Sequence, residues 1–151
     1  MYKIRDWLYI SNYPTAKVPQ TLKQYGIQAM IQLYQPIQVE GIESKFVRML
    51  DGIPIMPSYL QESITFIREQ NRKKHRLLST CGAGISRSVT MAIVALKEVE
   101  GLTMFEAYHS IYQYHPTAMP DHVHWQSVAN YYGEDADFWT VWADISLLDN
   151  N

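Results

Sequence analysis

One cysteine, Cys81, in 151 residues leaves no way to form an intramolecular disulfide or a cysteine-based zinc site. Charge of one sign is also missing. Thirteen Lys and Arg against fifteen Asp and Glu leave a formal charge of -2, which argues against nucleic acid or an anionic membrane as partner. Any anion must therefore be met locally. The longest apolar run, 89–96, counts only if Thr90 is forgiven, and a membrane span needs about 20 residues. No secretory apolar region follows Met1, and with the lone thiol this predicts a reducing, cytoplasmic setting. Repeats, low-complexity segments and linkers are absent. At 47% hydrophobic and 19% charged residues, 1–151 is expected to be a single domain around one core, of undetermined oligomeric state.

What is present alternates between strand and helix patterns. Short apolar runs at 7–10, 27–33 and 46–50, bounded or stopped by turn formers, predict strands, and 77–80 a brief buried strand after the basic run 72–76. A short helix is expected over 15–25, closed by Gly26. Another is expected from Ser58, with Gln61 completing a capping box and Leu60, Ile64 and Ile67 on one face. From Ile85 onward the chain is apolar on nearly every side, as a central helix would be. Thr103 with Glu106 caps the next helix, and Asp121 caps the one that Gly133 ends. Phe138, Trp139, Trp142 and Ile145 suggest a short aromatic helix returning to the domain. This order implies an α/β fold: a mixed, mostly parallel central sheet flanked by helices.

Chemistry concentrates in Cys81-Gly82-Ala83-Gly84-Ile85-Ser86-Arg87-Ser88, between a strand end and a helix start. Ligands bind there in open α/β sheets. The two glycines let successive N–H groups of Gly82, Ala83, Gly84, Ile85 and Ser86 turn inward, and the following helix adds its positive end. A tetrahedral dianion fits such a ring. Arg87 can bind two of its oxygens with a planar fork, and the sulfur of Cys81 then sits below the phosphorus. A thiol aimed at a helix N-terminus beside a fixed cation ionises readily and becomes a phosphoryl acceptor. On residue type alone Cys81 could equally be a small buried hydrophobe, and Ser88 a plain first-turn serine. The joint spacing of Cys, Gly, Arg and Ser favours the chemical reading.

Cys-x-x-Gly-x-x-Arg-Ser resembles the signature loop of the cysteine-dependent protein tyrosine phosphatases, and Ala83-Gly84-Ile85-Ser86-Arg87-Ser88 resembles the dual-specificity branch. The resemblance runs over about 7–133. It implies a phosphatase-type fold and hydrolysis of phosphomonoesters, on protein tyrosine, serine or threonine, through a phosphocysteine on Cys81. It also implies a general acid on a loop some thirty residues earlier, where Asp51 stands in an Asp-Gly turn, and a hydroxyl, Ser88, that eases departure of the sulfur. No cofactor is implied. The expected partner is a phosphorylated protein.

Two positions depart from the family pattern. Thr80 replaces the usual His before the cysteine, which weakens activation of the thiolate, although its hydroxyl can still donate a hydrogen bond. Asp121 follows Pro120 where Asn is common. A degenerate phosphatase serving as a phosphoprotein-binding module is therefore the alternative, followed by a phosphatase for a phosphoglucan or phosphoinositide. The cradle contains no Lys and no Arg other than Arg87, which favours a monophosphate. The basic run 72–76 reads as a solvated face, and His115, His122 and His124 as unsuited to a shared metal.

Overall fold

The computed structural model describes residues 1–150. Its five strands form one sheet in the order β1-β2-β5-β3-β4. These are β1 (Tyr2–Arg5), β2 (Leu8–Asn12), β3 (Ala29–Gln32), β4 (Glu43–Phe46) and β5 (Leu77–Cys81). β1 pairs antiparallel with β2, whereas the β2–β5, β5–β3 and β3–β4 pairs are parallel. β5 lies in the middle with all five residues buried, as expected for a parallel strand covered on both faces.

Alternation along the strands divides the core. Leu8, Ile10, Ala29, Ile31, Leu77 and Cys81 face the larger cluster, built with α3 (Pro57–Arg72), α4 (Arg87–Glu100), α5 (Met104–Tyr114), α6 (His122–Tyr132) and α7 (Phe138–Asp149). Tyr9, Met30 and Leu78 face a smaller cluster, which includes Ala16 of α1 (Tyr13–Ala16) and Leu22 of α2 (Pro19–Gln24). α4 is the central helix: Ser88 through Leu96 are all buried, and it packs on α3, α5, β5 and β2. Burying side chains such as Ile93 or Leu96 is worth roughly 1.5–3 kcal/mol each, so the helix that carries Arg87 is firmly held.

Several elements differ from the sequence pattern, each for a physical reason. β1 was not anticipated because only Ile4 of its four residues is buried. The helix expected over 15–25 is two helices, since Pro19 lacks an N–H and opens a new first turn. The strand expected at 46–50 is instead Glu43–Phe46, a polar edge strand. Its apolar continuation, Val47 and Met49, is buried beyond the ladder, whose last bond runs from Val47 N–H to the Gln32 carbonyl. The Ser58 capping box is absent because Pro57 takes the first helical position and Met56 becomes the N-cap without a side-chain bond. The Thr103–Glu106 box and the Asp121 and Gly133 ends form as expected. In α7, Phe138, Val141 and Ile145 turn inward at helical spacing, which leaves Trp139 and Trp142 outside.

Candidate active site

Cys81 ends β5 at the carboxyl edge of the parallel strands, and the loop that follows leads into α4 at Arg87. Its Sγ lies 3.1 Å from Ser88 Oγ and accepts the Gly84 N–H at 3.3 Å. Ser88 is fully buried, and its carbonyl accepts from Ser79 Oγ at 2.8 Å, which fixes the first turn of α4 against β5. Gly84 has φ +74°, and a Cβ there would lie 2.9 Å from Asn12 N and from Ser11 C, so any side chain would collide with β2. The N-cap residue Ser86 makes no side-chain bond to its own helix. The first N–H groups of α4 thus remain open to an anion, at the positive end of the dipole.

Arg87 is held from two sides. One terminal nitrogen, Nη1, donates to the carbonyls of Leu33 (3.3 Å), just past β3, and Met49 (3.1 Å). Its Nε lies 3.3 Å from Asp51 Oδ1, and the guanidinium carbon is 5.5 Å from the Tyr34 ring centroid. Nη2 is 3.5 Å from where a Gly82 Cβ would be, so the Nε and Nη2 edge faces the cradle side. Asp51 itself is 72% exposed, while Arg87 is 14% exposed. The carboxylate therefore occupies the same edge of the guanidinium that a phosphate would use.

The loop bearing Asp51 is tied to the first turns of α6. The Asp121 carboxylate caps the helix through Val123 N–H and also accepts Gly52 N–H at 3.0 Å. His124 Nε2 meets the Leu50 carbonyl at 2.8 Å, and Ser127 Oγ accepts Ile55 N–H at 3.0 Å. Both neighbours of Asp51 in the chain are thus gripped. The backbone N–H of Asp121 donates in turn to Ser86 Oγ at 3.0 Å, joining the same turn to the cradle. Burial alone would raise the Asp121 carboxyl, but the Val123, Gly52 and His124 N–H groups and the His124 ring hold it below the usual carboxylate range.

A second support comes from His115, buried just after α5. Its Nε2 lies 2.7 Å from the Gly84 carbonyl and its Nδ1 lies 3.3 Å from Thr117 Oγ1. Only the Nε2–H tautomer donates to that carbonyl, leaving Nδ1 to accept from the threonine. Burial pushes this histidine below 6.5, against the opposing pull of the Gly84 carbonyl. Tyr2 of β1 stacks on the ring with centroids 3.7 Å apart.

Cys81, Arg87, Ser88 and Asp51 thus converge, with Gly82 to Ser86 forming the rim between them. Thr80 does not join them. Its hydroxyl meets Ser11 Oγ at 3.4 Å on β2, so it gives the loop no hydrogen bond of the kind its residue type allows. The three histidines go three ways: His115 to the cradle, His124 to the Asp51 loop, and His122 against Trp139. The roles of His115 and His124 were missed because their partners are backbone carbonyls far along the chain. The only local signal was a histidine at a helix end. In the basic run, Lys73 pairs with Glu43 and Arg76 bonds the Tyr25 carbonyl, away from the site.

A strand-end cysteine under a loop closed by an arginine, beside a carboxylate on a separate loop, is the arrangement that cysteine-dependent phosphate chemistry calls for. A family model described as "Dual specificity phosphatase, catalytic domain" matches residues 8–134, and the chain belongs to that family. Over 122 residues it is 27% identical to dual specificity protein phosphatase 1 of Arabidopsis thaliana, covering 78% of this chain and 62% of that protein. Over 132 residues it is 29% identical to dual specificity protein phosphatase 12 of Rattus norvegicus, covering 82% and 39% respectively. The chain thus spans less than two thirds of these relatives. The crystal structure of human DUSP28 has the same fold, with a TM-score of 0.80, 18% identity, and coverage of 87% of this chain and 94% of that one. Among the described residues no helix is long and apolar enough to cross a membrane.

Proposed function

We propose that this chain hydrolyses phosphomonoesters on protein side chains through a phosphocysteine, without a metal or cofactor. The observation that carries the reading is the convergence of a buried sulfur, a buried hydroxyl, a tethered guanidinium and an exposed carboxylate around one uncapped helix N-terminus. The Cys81 thiolate attacks phosphorus as the bond to the side-chain oxygen breaks, and Asp51 gives that oxygen its proton. Water then attacks the phosphocysteine. Asp51 takes the water's proton, the S–P bond breaks, and Ser88 Oγ–H donates to the departing thiolate. The loose transition state spreads charge over the equatorial oxygens, which the loop N–H groups and the Nε and Nη2 edge of Arg87 receive. Because Nη1 is already held by two carbonyls, that edge is aimed before substrate arrives. A catalytic thiol must stay reduced, which supports a cytoplasmic enzyme.

One observation favours a second reading, a module that binds phosphoproteins without turnover: Thr80 leaves the cysteine loop without the hydrogen bond expected before the cysteine. Hydrolysis of p-nitrophenyl phosphate with EDTA present, from pH 5 to 8, separates the two. Turnover that is lost in Cys81→Ser, with a phosphocysteine trapped by acid quench in the native protein, is the expected result. Vanadate binding without turnover or phosphocysteine would replace the enzyme with the binding module.

A further inference from the structure

Beside the Asp51 loop the surface is unexpectedly apolar. Leu50, Ile53 and Met56 are exposed, Ile53 by 55%, although each lies within five residues of Asp51. They border a hollow of about 250 Å³ floored by Met49 and Ile55, with Arg48 at its margin. Arg48 is exposed, and among the described residues no ion pair or hydrogen bond engages it. On the far side of Pro54, which lines both, a second hollow of about 350 Å³ opens between α6 and α7. Trp139, 54% exposed, walls it, and Gln126 and Asn130 bring amide groups to it. The two hollows thus make a groove interrupted by Pro54, beside the loop that carries Asp51.

We infer that this groove binds the peptide segment flanking the phosphorylated residue, taking an apolar side chain into each hollow and an acidic residue against Arg48. The inference rests on the proposed phosphatase reading for where the phosphate sits, but the groove's selectivity can be measured separately. Three features point to a peptide. The hollows are small and separated by a proline wall, which suits individual side chains of an extended chain better than a continuous acyl tail. The Gln126 and Asn130 amides bond each other, Nε2 donating to Oδ1 at 2.8 Å, which leaves Gln126 Oε1 and Asn130 Nδ2 for a backbone N–H and C=O. A single exposed cation, Arg48, adjoins these apolar walls, whereas an anionic lipid surface would call for a basic cluster. Exposed Leu50, Ile53 and Met56 would gain from cover only while substrate is bound, consistent with a transient partner.

The test uses two fluorescein-labelled phosphotyrosine peptides, one flanked by leucines and a glutamate and one flanked by serines. Binding to the Cys81→Ser protein is read by anisotropy, and native turnover of p-nitrophenyl phosphate is read in parallel. About tenfold tighter binding of the apolar peptide is expected for each side chain buried. Ile53→Glu and Trp139→Glu should each remove about one tenfold step of that preference, and Arg48→Glu should remove the advantage of the glutamate, all with unchanged p-nitrophenyl phosphate turnover. Equal binding of the two peptides overturns the groove even if turnover is normal. A retained preference without turnover upholds the groove and refutes the enzymatic reading. Concentration-dependent dimers that Ile53→Glu dissolves, or binding to phosphatidylserine vesicles that outcompetes the peptide, would assign the surface to another occupant and overturn the inference.

Discussion

Asp51→Asn should move catalysis and oxyanion affinity in opposite directions. Removing the proposed proton donor should lower kcat by about 10²–10⁴-fold, with the larger loss for poor leaving groups such as alkyl phosphates and the smaller for p-nitrophenyl phosphate. The same change frees the Nε of Arg87, which the Asp51 carboxylate now approaches to 3.3 Å. Because Asp51 is 72% exposed, the pair is screened by solvent and is worth only ~0.2–1 kcal/mol. Freed from that competitor, and from its like charge, the cradle should bind orthovanadate about 1.4- to 5-fold more tightly. Competitive inhibition by vanadate at pH 7, measured for both proteins at two salt concentrations, gives the number, and the gain should shrink at high salt. Weaker or unchanged vanadate inhibition in Asp51→Asn would refute the idea that carboxylate and phosphate share one edge of the guanidinium.

Other changes test the supports. Gly84→Ala must relieve a 2.9 Å clash with β2 at a positive φ, so the cradle should distort, with kcat/KM falling at least 100-fold and melting occurring at lower temperature. Asp121→Ala loses a helix cap, about 0.5–2 kcal/mol in urea denaturation, and also frees Gly52. Its kcat should fall more for poor leaving groups than for good ones, and Asp121→Asn, whose single amide oxygen can accept from Gly52 or Val123 but not both, should restore only part of that difference. His115 is held below 6.5 in the folded chain, so the unfolded chain takes up its proton first as pH falls. Stability from the neutral ring is thus complete above 6.5 and declines as pH drops below it. His115→Asn should therefore show a smaller loss of melting temperature between pH 7.5 and 5.5 than the native protein, and an equal loss would refute the assignment.

The cradle was legible because its parts are neighbours in the chain: Cys81, Gly84, Arg87 and Ser88 fall within eight residues whose geometry a strand-to-helix turn dictates. Asp51 was legible only through the family's spacing, since an Asp-Gly turn by itself has no chemical meaning. The supports were not legible, because His115 to Gly84 and His124 to Leu50 are side-chain to backbone contacts across 31 and 74 residues. Carbonyl acceptors carry no sequence signal. Among the elements, α4 reads clearly because burial on every side leaves 89–96 apolar but for Thr90, and β5 because Leu77 and Leu78 lead straight into the cysteine loop, whereas β1 and β4 are edge strands whose pairing depends on neighbours.

The Asp121 residue bonds one loop with its side chain and the other with its backbone. The cradle loop, through Ser86, and the Asp51 loop, through Gly52, thus share one anchor, so a shift of the Asp121 turn moves both loops together relative to Cys81, which stays with β5. Heating that frees the Asp121 turn should therefore release both loops at once and erode activity abruptly rather than gradually.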